Sequence, residues 1–108
     1  AAPLYLGSIR LKISVITVCL NSAATIGDTI ESVLAQDHPN VEHIIVDGAS
    51  LDGTMDVVRR YGDRIAKVVS EPDRGMYDSA NKGLRLATGD VVGMLNSDDF
   101  YAAPDVLS

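Results

Sequence analysis

Four short apolar runs, separated by stretches whose apolar residues recur at helical spacing, constrain this chain more than any other feature. The first, LKISVITVCL, occupies residues 11–20; the others are VEHIIV at 41–46, IAKVVS at 65–70 and VVGML at 91–95. Rich in β-branched residues and nearly continuous, they have the character of parallel strands covered on both faces, not of half-exposed strands, which alternate. Between them Ile26, Ile30, Val33 and Leu34 share one helical face, as do Met55, Val58 and Tyr61, and then Tyr77, Ala80, Leu84 and Ala87. Asn21 and Ser22 can cap the first helix, which is expected to end near Gln36. Ser50 or Asp52 can cap the second, closed by Gly62, and Gly89 suits the exit of the third. This order predicts an α/β fold, a Rossmann-like parallel sheet with right-handed crossovers and helices on both faces.

A chain of 108 residues has room for one domain, expected over 11–108. Residues 1–10 carry Pro3 and Gly7 without a sustained period and read as a leader or an edge segment. Residues 102–108 read as the start of a further helix with Pro104 in its first turn, so the domain is expected to be truncated there. The net charge of −6 argues against a nucleic-acid partner or an anionic membrane surface, since both are bound through clustered Lys and Arg. A phosphate-bearing ligand would need a cation beside it. No apolar run approaches the roughly 20 residues that span a bilayer, so the expected location is cytoplasmic, at most peripheral at the cytoplasmic face of the membrane. The single cysteine, Cys19, lies in an apolar run and reads as a small buried hydrophobe. His38, beside Pro39, reads as solvated, and His43 as a strand-flank residue.

The stretch GDVVGMLNSDDF at 89–100 is an apolar strand that delivers acids. In open α/β sheets ligands gather outside the carboxyl ends of strands, where Asp98 and Asp99 could hold a hard cation against a phosphate. The same residues also suit a turn or a helix cap. Position favours the first reading, because two adjacent carboxylates repel each other unless a donor, water or a metal compensates them.

Taken with Asn21, the strand ISVITV resembles the opening of family-2 glycosyltransferases of the GT-A fold. DGASLDGT at 47–54 resembles that family's D-D-G-S-T-D-G-T. Ala80, Asn81 and Gly83 match its A-(R/A)-N-x-G core, and Asn96, Ser97, Asp98 and Asp99 fall on its D-x-D region. Two departures stand out: Gly48 replaces the second acid of the strand-end pair, and Asn96 the first acid of D-x-D. The resemblance implies sugar transfer with inversion from a nucleoside-diphosphate sugar, expected to be a UDP-sugar, to a saccharide or lipid-linked acceptor. It places Thr17 and Asn21 near the nucleobase, Asp47 in a pair with the base, and Arg74 near base or phosphate. Asn96 stands at the ribose position, Asp98 binds Mg²⁺ or Mn²⁺, and Asp99 is the second-line candidate for the metal. The family's catalytic base is expected beyond Ser108, so this chain is expected to bind donor without turnover and to self-associate through apolar surface left uncovered.

Chemistry makes these roles coherent. The leaving diphosphate develops negative charge that a carboxylate-held divalent ion neutralises, and Asp47 could accept the N3 hydrogen of uracil, which cytosine lacks. Read without the family, Asp47 is a strand-end turn residue and Arg74 a surface partner of Glu71 or Asp73. A receiver domain would need acids after the first strand, and Thr17 to Asn21 supplies none. A dinucleotide oxidoreductase would need G-x-G-x-x-G there, which is also missing. A non-catalytic nucleotide-binding or receiver-like module remains the alternative.

Overall fold

The computed structural model describes residues 5–6 and 9–97. Strand β1 (Tyr5–Leu6) pairs antiparallel with β2 (Ile9–Arg10) as a small separate ribbon. The main sheet begins with β3 (Ile13–Cys19) and continues through α1 (Ile26–Leu34), β4 (Val41–Asp47), α2 (Thr54–Tyr61), a short 3-10 turn (Gly62–Arg64), β5 (Lys67–Ser70), α3 (Met76–Leu86) and β6 (Val91–Met94). Its four strands lie in the order β5-β4-β3-β6, every neighbouring pair parallel. The chain therefore builds outward from β3 on one side and then returns to add β6 on the other. For crossovers of one hand, that reversal moves the helix to the opposite face.

The core divides accordingly. Ile26, Ile30 and Val58 of α1 and α2 pack with Cys19, Ile45 and Ile65 on one face. On the other, Ile16, Ile44 and Val46 meet Leu86 and Ala87 at the end of α3. Wholly buried Ile and Val side chains contribute about 1.5–3 kcal/mol each, so the two central strands carry most of the apolar stabilisation.

Several expectations change in three dimensions. The expected face of α3 is turned: Tyr77 is 89% exposed and Leu84 is exposed too, while Ser79 and Gly83 are buried. Gly83 sets this rotation, since a Cβ there would fall 2.4 Å from Ile16 Cγ2; only hydrogen lets the helix come this close to the sheet. Among the described residues no strand lies beyond the acid-delivering strand β6, and Val91, Val92 and Met94 are each about half exposed there. Helix α1 starts at Ile26, later than a cap at Asn21 or Ser22 would give, because those residues form a loop instead. His38 is buried and not solvated; its Nε2 donates to the Leu11 carbonyl at 2.7 Å. His43 is also buried, inside β4.

Candidate functional site

At its carboxyl end β4 enters a tight loop through Asp47, which is wholly buried. Asp47 Oδ2 accepts from the Ser50 N–H at 3.0 Å and the Ser70 hydroxyl at 2.8 Å, while Oδ1 accepts from the Ser50 hydroxyl and, at 3.5 Å, from the Cys19 thiol. Burial alone would raise its pKa, but the Ser50 and Ser70 hydrogen bonds outweigh it and hold the carboxyl below its ordinary range. Burial, then the Asp47 charge, push the Cys19 thiol up to about 12, so it stays neutral. Both Asp47 oxygens are thus engaged, by Ser50 of the loop and by Ser70 and Cys19 of the neighbouring strands, so the residue braces the end of β4.

The loops after β3 and β4 are stitched together. Asn21, in the left-handed region at φ 50, accepts the Leu51 N–H on its Oδ1 at 2.8 Å and donates its own N–H to Ser50 Oγ at 2.8 Å. Ser22 N–H donates to Thr54 Oγ1 at 2.7 Å, and Ala23 N–H to Asp52 Oδ2 at 3.2 Å. Asp52 Oδ1 also accepts the Thr54 N–H at 3.0 Å, supporting the start of α2. Ala49 is held at φ 65 at the point where the family motif carries glycine.

The loop after β3 borders a cavity of about 560 Å³ at the switch point where the strand order reverses between β3 and β6. Val18 and Cys19 line it from β3, with Leu20, Asn21, Ser22 and Thr25 from the following loop. Asp73, Gly75, Met76 and Ser79 line it from the start of α3, and Asn96 and Ser97 from the end of β6. Its size suits a small-molecule ligand. Asp73 is the only charged residue in this wall among the described residues. The Ser79 hydroxyl, the Gly75 N–H and the nearby Lys82 hold its carboxyl below the ordinary range. Ser97 is tied from the α1 side: its hydroxyl lies 2.8 Å from Ser22 Oγ and its carbonyl accepts the Thr29 hydroxyl at 2.9 Å.

Of the residues expected at the site, the structure brings Asn21 and Asn96 to the cavity wall. Thr17 does not line it: wholly buried inside the sheet, its hydroxyl lies 2.8 Å from His43 Nε2. Burial lowers His43 to about 4, so the ring is neutral near pH 7. Arg74 is exposed between two lining residues and pairs with no acid among the described residues; Glu71 takes Lys82 instead, at 3.2 Å. Asp98 and Asp99 lie outside the described residues. No group of three acids, histidines or cysteines able to hold a metal occurs among the described residues. The described end of β6 brings Asn96 and Ser97 to the cavity wall, immediately before Asp98 and Asp99 in the sequence. Sequence reading missed Asp73 and Ser79 as cavity residues. The signal for Asp73 was Gly48, whose missing side chain leaves space at the strand end.

The glycosyl transferase family 2 model matches residues 14–108. The chain belongs to that family. It is 44% identical over 90 residues to the putative teichuronic acid biosynthesis glycosyltransferase TuaG of Bacillus subtilis, a match covering 81% of this chain and 36% of that protein. Among solved structures it is similar to the mannosyltransferase PcManGT of Pyrobaculum calidifontis in complex with GDP-Man and Mn²⁺, at a TM-score of 0.82 and 33% identity over 90% of this chain and 30% of that one. It is also similar to TarS 1-349 of S. aureus in complex with UDP, at a TM-score of 0.78 and 30% identity over 89% of this chain and 30% of that one. The fold is therefore the GT-A type of α/β sheet. The chain spans about a third of the length of the curated relatives it matches.

Proposed function

We propose that this chain is the donor-binding part of a glycosyltransferase that moves a sugar, with inversion, from a nucleoside-diphosphate sugar to a saccharide or lipid-linked acceptor. The observation that carries the reading is the cavity at the sheet's switch point, walled by polar loops and followed directly by Asp98 and Asp99. A UDP-sugar is the preferred donor, in line with the relative solved with UDP, although another relative was solved with GDP-Man. Mg²⁺ or Mn²⁺ would be held by Asp98 and Asp99, with Asn96 nearby, and supplies positive charge for the departing diphosphate. Residues of this chain do the rest: Asn21 and Ser22 shape the wall, Thr29 and Ser22 fix Ser97, and Arg74 is free to swing toward phosphate. Asp47 acts through the Ser50 loop that it braces. The catalytic base belongs to a part of the enzyme outside these residues, and the half-exposed apolar surface of β6 favours self-association of the isolated chain. A cytoplasmic place, peripheral to the membrane at most, fits this reading, and no described helix is long and apolar enough to cross a membrane.

Calorimetry with UDP, CDP, GDP and ADP, each with Mn²⁺ and with chelator, tests the proposal. Metal-dependent binding that favours UDP and disappears in Asp98→Ala is expected. Equal affinity with chelator would overturn the metal role, and preference for a purine diphosphate the UDP assignment. A parallel assay for UDP released from UDP-sugars should read no turnover.

A further inference from the structure

Gly48 stands where the family motif carries its second strand-end acid. The space that a side chain would fill there is already occupied: a Cβ at Gly48 would lie 2.8 Å from Asp73 Oδ2 and 3.4 Å from its Cγ. A carboxylate from the loop before α3 therefore sits beside the end of β4, next to the position where the motif would place one. Two acids this close would repel as well as collide, so the positions are alternatives. Asp73 borders the cavity, with Oδ1 accepting the Gly75 N–H at 3.0 Å and Oδ2 the Ser79 hydroxyl. An ionised carboxylate offers about four lone-pair sites, so Asp73, a cavity-lining residue, keeps acceptor capacity beyond these two bonds.

Position says what that capacity would meet. Asp73 lies at the β4 end of the cavity and Asn96 and Ser97 at the β6 end, with β3 between them. Neighbouring strands are about 4.8 Å apart, so the two ends are separated by about 10 Å. On the donor-binding reading, the anionic diphosphate would go with the cation that Asp98 and Asp99 would hold, and Asp73 would repel it. The uncharged nucleoside half is left for the β4 end. We infer that Asp73 replaces the acid missing at position 48 and accepts a hydrogen bond from the nucleoside half of the donor, from a base N–H or a ribose hydroxyl. This deepens the donor-binding reading above and rests on it. Asp73 also braces the entry to α3, a role that asparagine would fill nearly as well.

The test is UDP calorimetry with Mn²⁺ on the parent chain, Asp73→Asn, Asp73→Ala, Gly48→Asp and the double variant Gly48→Asp/Asp73→Ala, each with a thermal melt. Asp73→Asn should keep the melting temperature and weaken UDP by about tenfold, the loss of one charge-assisted hydrogen bond. Gly48→Asp alone should lower the melting temperature; adding Asp73→Ala should restore it and return UDP affinity to within a few fold of the parent. Titrating CDP and 2′-deoxy-UDP separates the two donors: the analogue that parent and Asp73→Asn bind equally lacks the hydrogen Asp73 receives. Parent-like UDP affinity in Asp73→Asn would overturn the inference, as would a double variant no better than Asp73→Ala. A parent chain that binds no nucleotide with metal would overturn the donor-binding reading itself, and this inference with it.

Discussion

Strand β4 carries a buried carboxylate at each end, and the two are satisfied in opposite ways. At the amino end, Glu42 accepts from the Ser14 hydroxyl at 2.9 Å and from the Thr88 N–H and hydroxyl, each at 3.0 Å, with Lys12 and Lys67 at 3.3 and 3.4 Å. Burial opposes its ionisation, but these donors outweigh burial and bring its pKa down to about 2. At the carboxyl end, Asp47 is held by hydroxyls, an N–H and a thiol, without a cation. One end of the sheet is thus electrically closed by its own lysines. At the other, Asp73 lines the cavity while Asp47 and Asp52 stand in the loop after β4, and none of the three pairs with a lysine or arginine among the described residues.

The sharpest way to break this contrast is Asp47→Ala. It removes a wholly buried, hydrogen-bonded carboxylate and leaves the half-buried Ser50 N–H and hydroxyl without their acceptor, while the exposed Ser70 hydroxyl returns to water, so urea unfolding should show a loss of about 3 kcal/mol. A loss no larger than that of Glu42→Ala would refute the asymmetry. Next is acid titration. His43, between the two acids on β4, takes its proton near 6.5 when unfolded and at about 4 when folded. Between those values the unfolded chain binds more protons, so stability is complete above pH 6.5 and falls as pH drops, by on the order of 3 kcal/mol at pH 4. Urea midpoints at pH 7, 5.5 and 4 measure it, and His43→Gln should flatten the curve. Glu42 adds its own loss only below about pH 4.5, as pH falls toward its folded value of about 2. Smaller is Glu42→Ala, at about 2 kcal/mol, because Lys12 and Lys67 are 33% and 35% exposed and can return to water. Smallest is Ala49→Gly, which relieves the left-handed backbone at φ 65 and should raise stability by about 0.5 kcal/mol in the same assay.

The order of strands and helices was legible because continuous β-branched runs and helical spacing are local signals. The position of β6 was not, because periodicity reports burial of a run and not its place in the sheet, and a strand that is outermost among the described ones can read as central. The face of α3 was misread because its apolar residues point outward while Ser79 and Gly83 point in; close backbone approach decided it, and no hydrophobic pattern encodes that. The buried Thr17–His43 pair depends on cross-strand register, which the sequence does not state. At the site, Asn21 and Asn96 were found through motif order. Asp73 entered only as an alternative to Glu71 for a surface pair with Arg74, because its proximity to Gly48 exists only after folding.

The anchoring of Ser97 has a consequence for how portable this site is. Its carbonyl is held by Thr29, which lies 68 residues earlier and on a helix. The turn that leads into the two aspartates is therefore not a self-contained cassette. Moving residues 96–99 into another parallel sheet would transfer the segment without the contact that fixes Ser97, and the graft would hold that residue loosely unless a hydroxyl were installed on the facing helix as well. Recombination within this scaffold should accordingly respect a boundary that runs through the interior, joining α1 to the end of β6, and not one drawn along the chain.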